Sequence, residues 1–271
     1  MLVLESGAHL IDAATTHIVQ GVPLEMVVKG AGRPLLFLHG MDGIEAATAL
    51  IDSLAAHFTV YAPSHPGFGA SHLPDHIGTT DDLAYFYLDL LDLLQLEDMS
   101  LVAMSFGGWV AAEILVKNQS RIRNVVLGAP LGLRTGNRRR QLVPDLFMMT
   151  PQAAKTVQYA DPALAQDPAA LSDRELHRLL RNREAMALFG WAPYLNDPKL
   201  GGRLHRITRP TLLVWGANDA LLPASYRSAF EAALPLAQVA TISQCGHRLY
   251  VERPQKAAEL ALTFAVRALE E

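Results

Sequence analysis

Ser105 follows the apolar run Met99–Met104 and precedes a helix-like stretch, with Gly107 and Gly108 directly behind it. A serine hydroxyl attacks a carbonyl efficiently only when a base takes its proton and a third group orients that base. The segment LVAMSFGGWVAAE, residues 101–113, suits the first part of that demand. A sharp strand-to-helix turn would lift the hydroxyl above the sheet edge. The N–H groups at the helix start would face the same point, where the helix dipole favours negative charge. Small residues let strand and helix cross closely. The usual pattern is G-x-S-x-G, and here its first glycine is replaced by Ala103, which is still small. Serine is also a favoured helix N-cap, so the turn alone leaves two readings of Ser105, nucleophile or cap.

An acid and a histidine follow in the order such a nucleophile needs. Asp219 lies just past the apolar run Pro210–Trp215, and His247 follows the run Gln238–Ile242 in the same way. The chain order Ser, Asp, His is that of one of the three common serine-nucleophile arrangements. His247 would take the serine proton and return one to the leaving group, and Asp219 would hold the imidazole tautomer. Each also has a bland reading, a turn aspartate and a buried, hydrogen-bonded histidine; three coincidences in order favour the chemical one. Cys245, the single cysteine, excludes an intrachain disulfide and reads as a packing residue rather than a second nucleophile. Acyl transfer also needs two preplaced donors for a developing oxyanion. The expected pair is the backbone N–H of Phe106 and that of Met41, in the loop after LFLHG, residues 36–40. His39 is expected to support that loop from beneath rather than act as a base.

The elements that must position these groups are legible in outline. Short apolar, β-branched runs alternate with helical patterns through the first half, which favours a mostly parallel sheet covered by helices. Strands are expected within residues 17–28 (two short ones) and at 35–38, 58–62, 99–104, 125–127, 210–215 and 238–242. Helices are expected over 44–56, 80–96, 106–118, 173–189 and 254–269. Residues 131–205 show no clear strand and interrupt the rhythm, which divides the chain into a core (1–130 and 206–271) and an inserted helical lid (131–205). The 271 residues are 50% hydrophobic and 18% charged, with a formal charge of −4. Such a chain buries a large core without staples and carries no electrostatic footprint for nucleic acid. The one basic cluster, Arg138-Arg139-Arg140, reads as a solvated face, with contact to an acidic substrate or partner as the alternative. The opening MLVLESGAHLID lacks the cationic start of a secretory signal, and no run of about 18 apolar residues suggests a membrane span. A cytoplasmic protein acting on a small molecule is the expectation; oligomeric state is not readable.

Together the pieces LFLHG (36–40), APSHPGFGAS (62–71), AMSFGG (103–108), WGANDALLP (215–223) and CGHRLYVERP (245–254) resemble the α/β-hydrolase superfamily over nearly the whole chain. The resemblance is to the capped branch that includes esterases, lactonases and carbon–carbon bond hydrolases. It implies an eight-stranded, mostly parallel sheet flanked by helices, with the lid inserted after strand 6. It also implies a serine hydrolase cleaving a small to medium ester or lactone, with no metal or organic cofactor. Two departures stand out. The loop after His-Gly often carries proline in the family but reads Met41-Asp42-Gly43 here, and a carboxylate there opposes an oxyanion unless it is paired. Carbon–carbon hydrolases of this branch place tryptophan shortly after the histidine, where this chain has Arg248-Leu249-Tyr250. Leu146, Phe147, Met148, Met149, Phe189, Trp191 and Tyr194 are candidates for an apolar pocket wall, or equally for the lid's own core. Arg181 and Arg183 could hold an acidic substrate in a carbon–carbon hydrolase or sit on a solvated helix face. A non-turnover ligand receptor on the same fold is the remaining alternative.

Overall fold

The computed structural model describes residues 13–135, 142–234 and 236–267; the basic run Arg138–Arg140 lies outside them. The chain opens with β1 (Thr15–Val19) and β2 (Val22–Lys29), joined by Gln20 and Gly21, both at positive φ. A two-residue loop of that conformation matches the twist of an antiparallel pair. Then follow β3 (Arg33–Leu38), α1 (Thr48–Ala55), β4 (Phe58–Pro63), α2 (Thr80–Leu94), β5 (Met99–Met104), α3 (Phe106–Lys117) and β6 (Ile122–Gly128). After an insertion come β9 (Thr211–Gly216), α6 (Ala224–Ala233), β10 (Ala237–Ile242), α7 (Leu249–Glu252) and α8 (Pro254–Arg267). Within the insertion lie β7 (Gly132–Leu133), α4 (Pro151–Gln158), α5 (Asp173–Gly190) and β8 (Asn196–Asp197).

Eight strands form one sheet in the order β1-β2-β4-β3-β5-β6-β9-β10. Its first two pairings are antiparallel and the others parallel. Every residue of β5 and β9 is buried, which is why these strands read as continuous apolar runs. α3 is buried from Phe106 to Val116, apolar nearly all round because it is packed on every side. α2 starts at a capping box in which the Thr79 hydroxyl accepts from the Asp82 N–H and the Asp82 carboxylate reaches back to the Thr79 N–H. β4 lies on one side of β3 and β5 on the other, so the carboxyl ends of β3 and β5 form the switch point of the sheet, the place where open α/β sheets bind ligands.

Three expectations need correction. The sixth strand is longer than 125–127, because Arg123 and Asn124 hid its start. Arg123 closes a two-pronged ion pair with Asp98 at the amino ends of β5 and β6, with N···O distances of 2.6 and 2.7 Å. The stretch 131–205 is not strand-free, since β7 pairs with β8 in a short parallel ladder. α6, not foreseen, buries only Tyr226 and Phe230, too few for periodicity to announce it. α5 buries Asn182, Ala185, Met186 and Phe189, a narrow stripe at helical spacing on an otherwise polar helix.

Candidate active site

Ser105 occupies the turn between β5 and α3 at φ 51° and ψ −111°. A non-glycine residue rarely holds such angles unless its surroundings enforce them, and here they do. The Ser105 N–H donates to the Gly128 carbonyl at 2.7 Å, and its own carbonyl accepts from the Leu131 N–H at 3.0 Å. A Cβ on Gly107 would overlap the carbonyl oxygens of Leu38 and His39, and one on Gly108 would strike Pro130. Ala103 is fully buried within β5, so its methyl is accommodated where the pattern has glycine.

β9 and β10 deliver the other two groups. The Ser105 Oγ lies 2.8 Å from His247 Nε2, and His247 Nδ1 lies 3.0 Å from Asp219 Oδ2. The second Asp219 oxygen accepts the N–H groups of Leu221 and Leu222, both at 2.9 Å. The carboxylate is therefore anchored, and the imidazole bears its proton on Nδ1 with Nε2 free to accept from the hydroxyl. Ser105 and His247 are each 1% exposed. A hydroxyl, imidazole and carboxylate so linked can pass a proton from Oγ to Nε2 as Oγ attacks a carbonyl carbon.

The loop after β3 is held by a chain of buried rings. His39 Nδ1–H donates to the Gly40 carbonyl at 2.7 Å, and His39 Nε2 accepts from the His65 N–H at 2.9 Å. His65 Nε2–H in turn donates to the His39 carbonyl at 3.0 Å, and the Tyr87 hydroxyl reaches His65 Nδ1 at 2.5 Å. Burial pushes the His39 pKa down to about 4 and that of His65 well below its ordinary value, so both rings stay neutral. His39 thus supports the loop, as its sequence context suggested. A trans peptide points its N–H opposite its C=O, so holding the Gly40 carbonyl also aims the Met41 N–H. The Phe106 N–H stands at the start of α3, where helix donors lack an intrahelical partner.

Asp42 is paired rather than solvated. Its Oδ2 lies 2.5 Å from Arg248 Nη1 and accepts from the Tyr250 hydroxyl at 3.0 Å. Burial works against the charge of Arg248, and Asp42, Tyr250 and Tyr159 together outweigh it, lifting the guanidinium pKa above its ordinary value.

The insertion is stitched onto this edge by residues that the sequence reading passed over. Arg178 on α5 ion-pairs with Glu25 at 2.7 and 2.9 Å and also with Glu45. Four residues on, the Asn182 side chain accepts from the Gly69 N–H at 2.9 Å and donates to the Asp42 carbonyl at 2.8 Å. At the end of α4 the Gln158 carbonyl accepts from the N–H groups of His247 and Arg248 at 2.8 and 3.2 Å. Glu252 bonds the Gly246 N–H at 2.6 Å and those of Ala160 and Asp161 at 2.9 and 3.0 Å. A polar side chain recurring on the buried stripe of α5 was the available signal for Arg178 and Asn182.

The apolar candidates of the insertion separate. Phe189 stacks on Phe106 with ring centroids 5.9 Å apart, next to the Ser105 turn. Leu146, Phe147 and Tyr194 are half-buried, Phe147 packing its ring against Trp191 and Tyr194 at 5.7 Å. Met149 is half-buried, whereas Met148 and Trp191 stand on the outer surface at 76% and 60% exposure. Trp109 is buried against Phe106. Arg181 and Arg183 are exposed, Arg181 donating to the Ser71 carbonyl at 2.9 Å. Cys245 is buried, which pushes its thiol up to about 12 and keeps it protonated. Among the described residues no group of three or more His, Cys, Asp or Glu side chains is placed to hold a metal ion, and no helix is long and apolar enough to cross a membrane.

Residues 35–260 match the alpha/beta hydrolase family, and the chain belongs to it. It is 30% identical over 259 residues to the dihydrolipoyllysine-residue acetyltransferase component of the acetoin cleaving system of Cupriavidus necator, covering 89% of this chain and 67% of that one. The Pseudomonas putida counterpart is covered over 63% of its length, so the chain spans about two thirds of these two relatives. Identity is 24% to 2-hydroxymuconate semialdehyde hydrolase of Pseudomonas sp. strain CF600, with 93% of both chains covered. It is 25% to pimeloyl-[acyl-carrier protein] methyl ester esterase of Aeromonas salmonicida, over 87% of this chain and 96% of that one. The fold is shared with a meta-cleavage product hydrolase of Pseudomonas fluorescens IP01, at a TM-score of 0.78 and 20% identity over 94% and 98% of the two chains.

Proposed function

We propose that the chain is a serine hydrolase that cleaves a small to medium carboxylic ester or lactone through an acyl-enzyme on Ser105. The carrying observation is the unbroken link Oγ···Nε2 at 2.8 Å and Nδ1···Oδ2 at 3.0 Å among three buried side chains. Ser105 Oγ adds to the ester carbonyl while His247 Nε2 takes its proton. The resulting oxyanion is received by the N–H groups of Met41 and Phe106. Collapse expels the alcohol, which takes the proton from His247, and water then repeats the sequence to release the acid. No cofactor is needed, because nucleophile, base and oxyanion donors all come from the chain. Residues 131–205 act as a lid over this site, which fits a nucleophile only 1% exposed. Phe189, and with it Leu146, Phe147, Met149 and Tyr194, would bound the apolar pocket.

The test is covalent labelling of Ser105 by a fluorophosphonate together with turnover of aryl esters of graded acyl length. Labelling and turnover that vanish in Ser105→Ala and fall by roughly 10⁶-fold in His247→Ala support the reading; labelling that survives Ser105→Ala refutes it. A second reading, cleavage of a carbon–carbon bond in a dienoic diketo acid, is favoured by the relative named as 2-hydroxymuconate semialdehyde hydrolase. Turnover of such acids with esters untouched would select it. Because two of the relatives above are named as acetyltransferase components, the ester panel includes an added thiol. Acyl transfer to that thiol in place of hydrolysis would reassign the second step.

A further inference from the structure

Two of the positions at which this chain departs from its family's pattern are bonded to each other. Asp42 directly follows the proposed oxyanion donor Met41, and Arg248 directly follows His247. Their side chains meet at 2.5 Å, and the Tyr250 hydroxyl closes a triangle, 2.6 Å from Arg248 Nη1 and 3.0 Å from Asp42 Oδ2. Arg248 is 4% exposed, and its other terminal nitrogen donates to the Gln158 side chain. The tyrosine lies so close to Gly40 that a Cβ there would come within 2.6 Å of its hydroxyl oxygen.

We propose that Asp42, Arg248 and Tyr250 form a brace that positions the oxyanion loop against the catalytic histidine and cancels two charges that would each oppose the reaction. The proposal rests on the assignment of Ser105, His247 and Met41 above. A chain with proline after the His-Gly pair stiffens this loop through a fixed φ; here a buried ion pair supplies the stiffness across two loops instead. The charge argument is separate. Without Arg248, an anionic Asp42 would sit beside the donor of a developing oxyanion. Without Asp42, a buried guanidinium would sit beside an imidazole that must become a cation in the transition state. Either loss opposes charge development, whereas removing both charges removes both penalties. Asp42, Arg248 and Tyr250 are positioning residues, since none is shown touching the reacting atoms.

The test is a double-mutant cycle read by fluorophosphonate labelling of Ser105, with kinact and KI measured separately and thermal midpoints recorded. Asp42→Asn and Arg248→Gln are each expected to lower kinact by about 30-fold with KI nearly unchanged. The double variant is expected within about tenfold of wild type, rather than at the roughly 1,000-fold product of the singles. Losses that multiply, or single variants that lower only the thermal midpoint, overturn the brace. Should Arg248→Gln fail to fold, Asp42→Asn is compared with Asp42→Glu: partial recovery of kinact by the glutamate supports the brace, and equal losses overturn it. A wild-type chain that does not label refutes the nucleophile itself and removes the brace with it. A chain that labels while the cycle is additive refutes the brace alone.

Discussion

Lowering the pH from about 7.5 to about 5 is expected to weaken the fold through His39. The ring is fully buried, its Nδ1–H is committed to the Gly40 carbonyl and its Nε2 to the His65 N–H. A second proton has no place to go without breaking the bond to His65. Burial accordingly pushes the pKa from 6.5 to about 4. Between those values the unfolded chain binds a proton that the folded chain refuses, so stability is complete above the unfolded pKa and falls as the pH drops. At about 1.36 kcal/mol per unit, the loss between pH 7.5 and 5 comes to roughly 2 kcal/mol. His65, shifted down by the same burial, acts with the same sign. Urea unfolding at the two pH values measures the effect, compared between the wild-type chain and His39→Gln. The variant starts less stable, yet its further loss on acidification should be about 2 kcal/mol smaller than that of the wild type. Parallel losses in the two proteins would show that His39 protonates as readily folded as unfolded, and the reasoning would fail.

Two further outcomes follow from the packing of the site. Gly107→Ala places a methyl against the Leu38 and His39 carbonyls, so the elbow must shift. A destabilisation of about 3 kcal/mol with loss of Ser105 labelling is expected, and a variant with native labelling and midpoint would refute the close crossing. Arg178→Ala leaves the Glu25 carboxylate, 8% exposed, without its cation, at an expected cost of about 3–5 kcal/mol. Adding Glu25→Gln should return part of that in chemical denaturation; no recovery would mean that the guanidinium acts mainly through its packing.

The sequence-legible parts of the site are those that sit at strand ends. Ser105 and Asp219 follow the buried strands β5 and β9, and His247 follows β10, of which only Ile242 is buried; a strand-like run with a small-residue turn behind it is a local signal. The parts that escaped are polar residues whose partners lie elsewhere in the chain. Arg178 and Asn182 looked like members of a solvated helix, since α5 buries only a thin stripe and its other faces are charged. Arg123 masked the start of β6 because its partner, Asp98, lies just before β5 rather than nearby in sequence. Leu146 through Trp191 could not be sorted by type: the same aromatic side chain serves a pocket wall, a small core or an exposed surface, and only burial separates Phe189 from Trp191.

What the amino-acid order determined by itself is the succession of strands and helices and the placing of a hydroxyl, a carboxylate and an imidazole at three of their ends. Those features depend on hydrophobic period and turn chemistry, which act over a few neighbouring residues. Only the tertiary structure decided how the charges are settled: that Asp42 meets Arg248, that His39 is sealed from protons, and that the insertion is bonded to the loops carrying His247 and Asp42. Charge neutralisation depends on distance in space, and the strand order β4-β3-β5 with β9 and β10 beyond brings together groups that no local stretch of sequence contains.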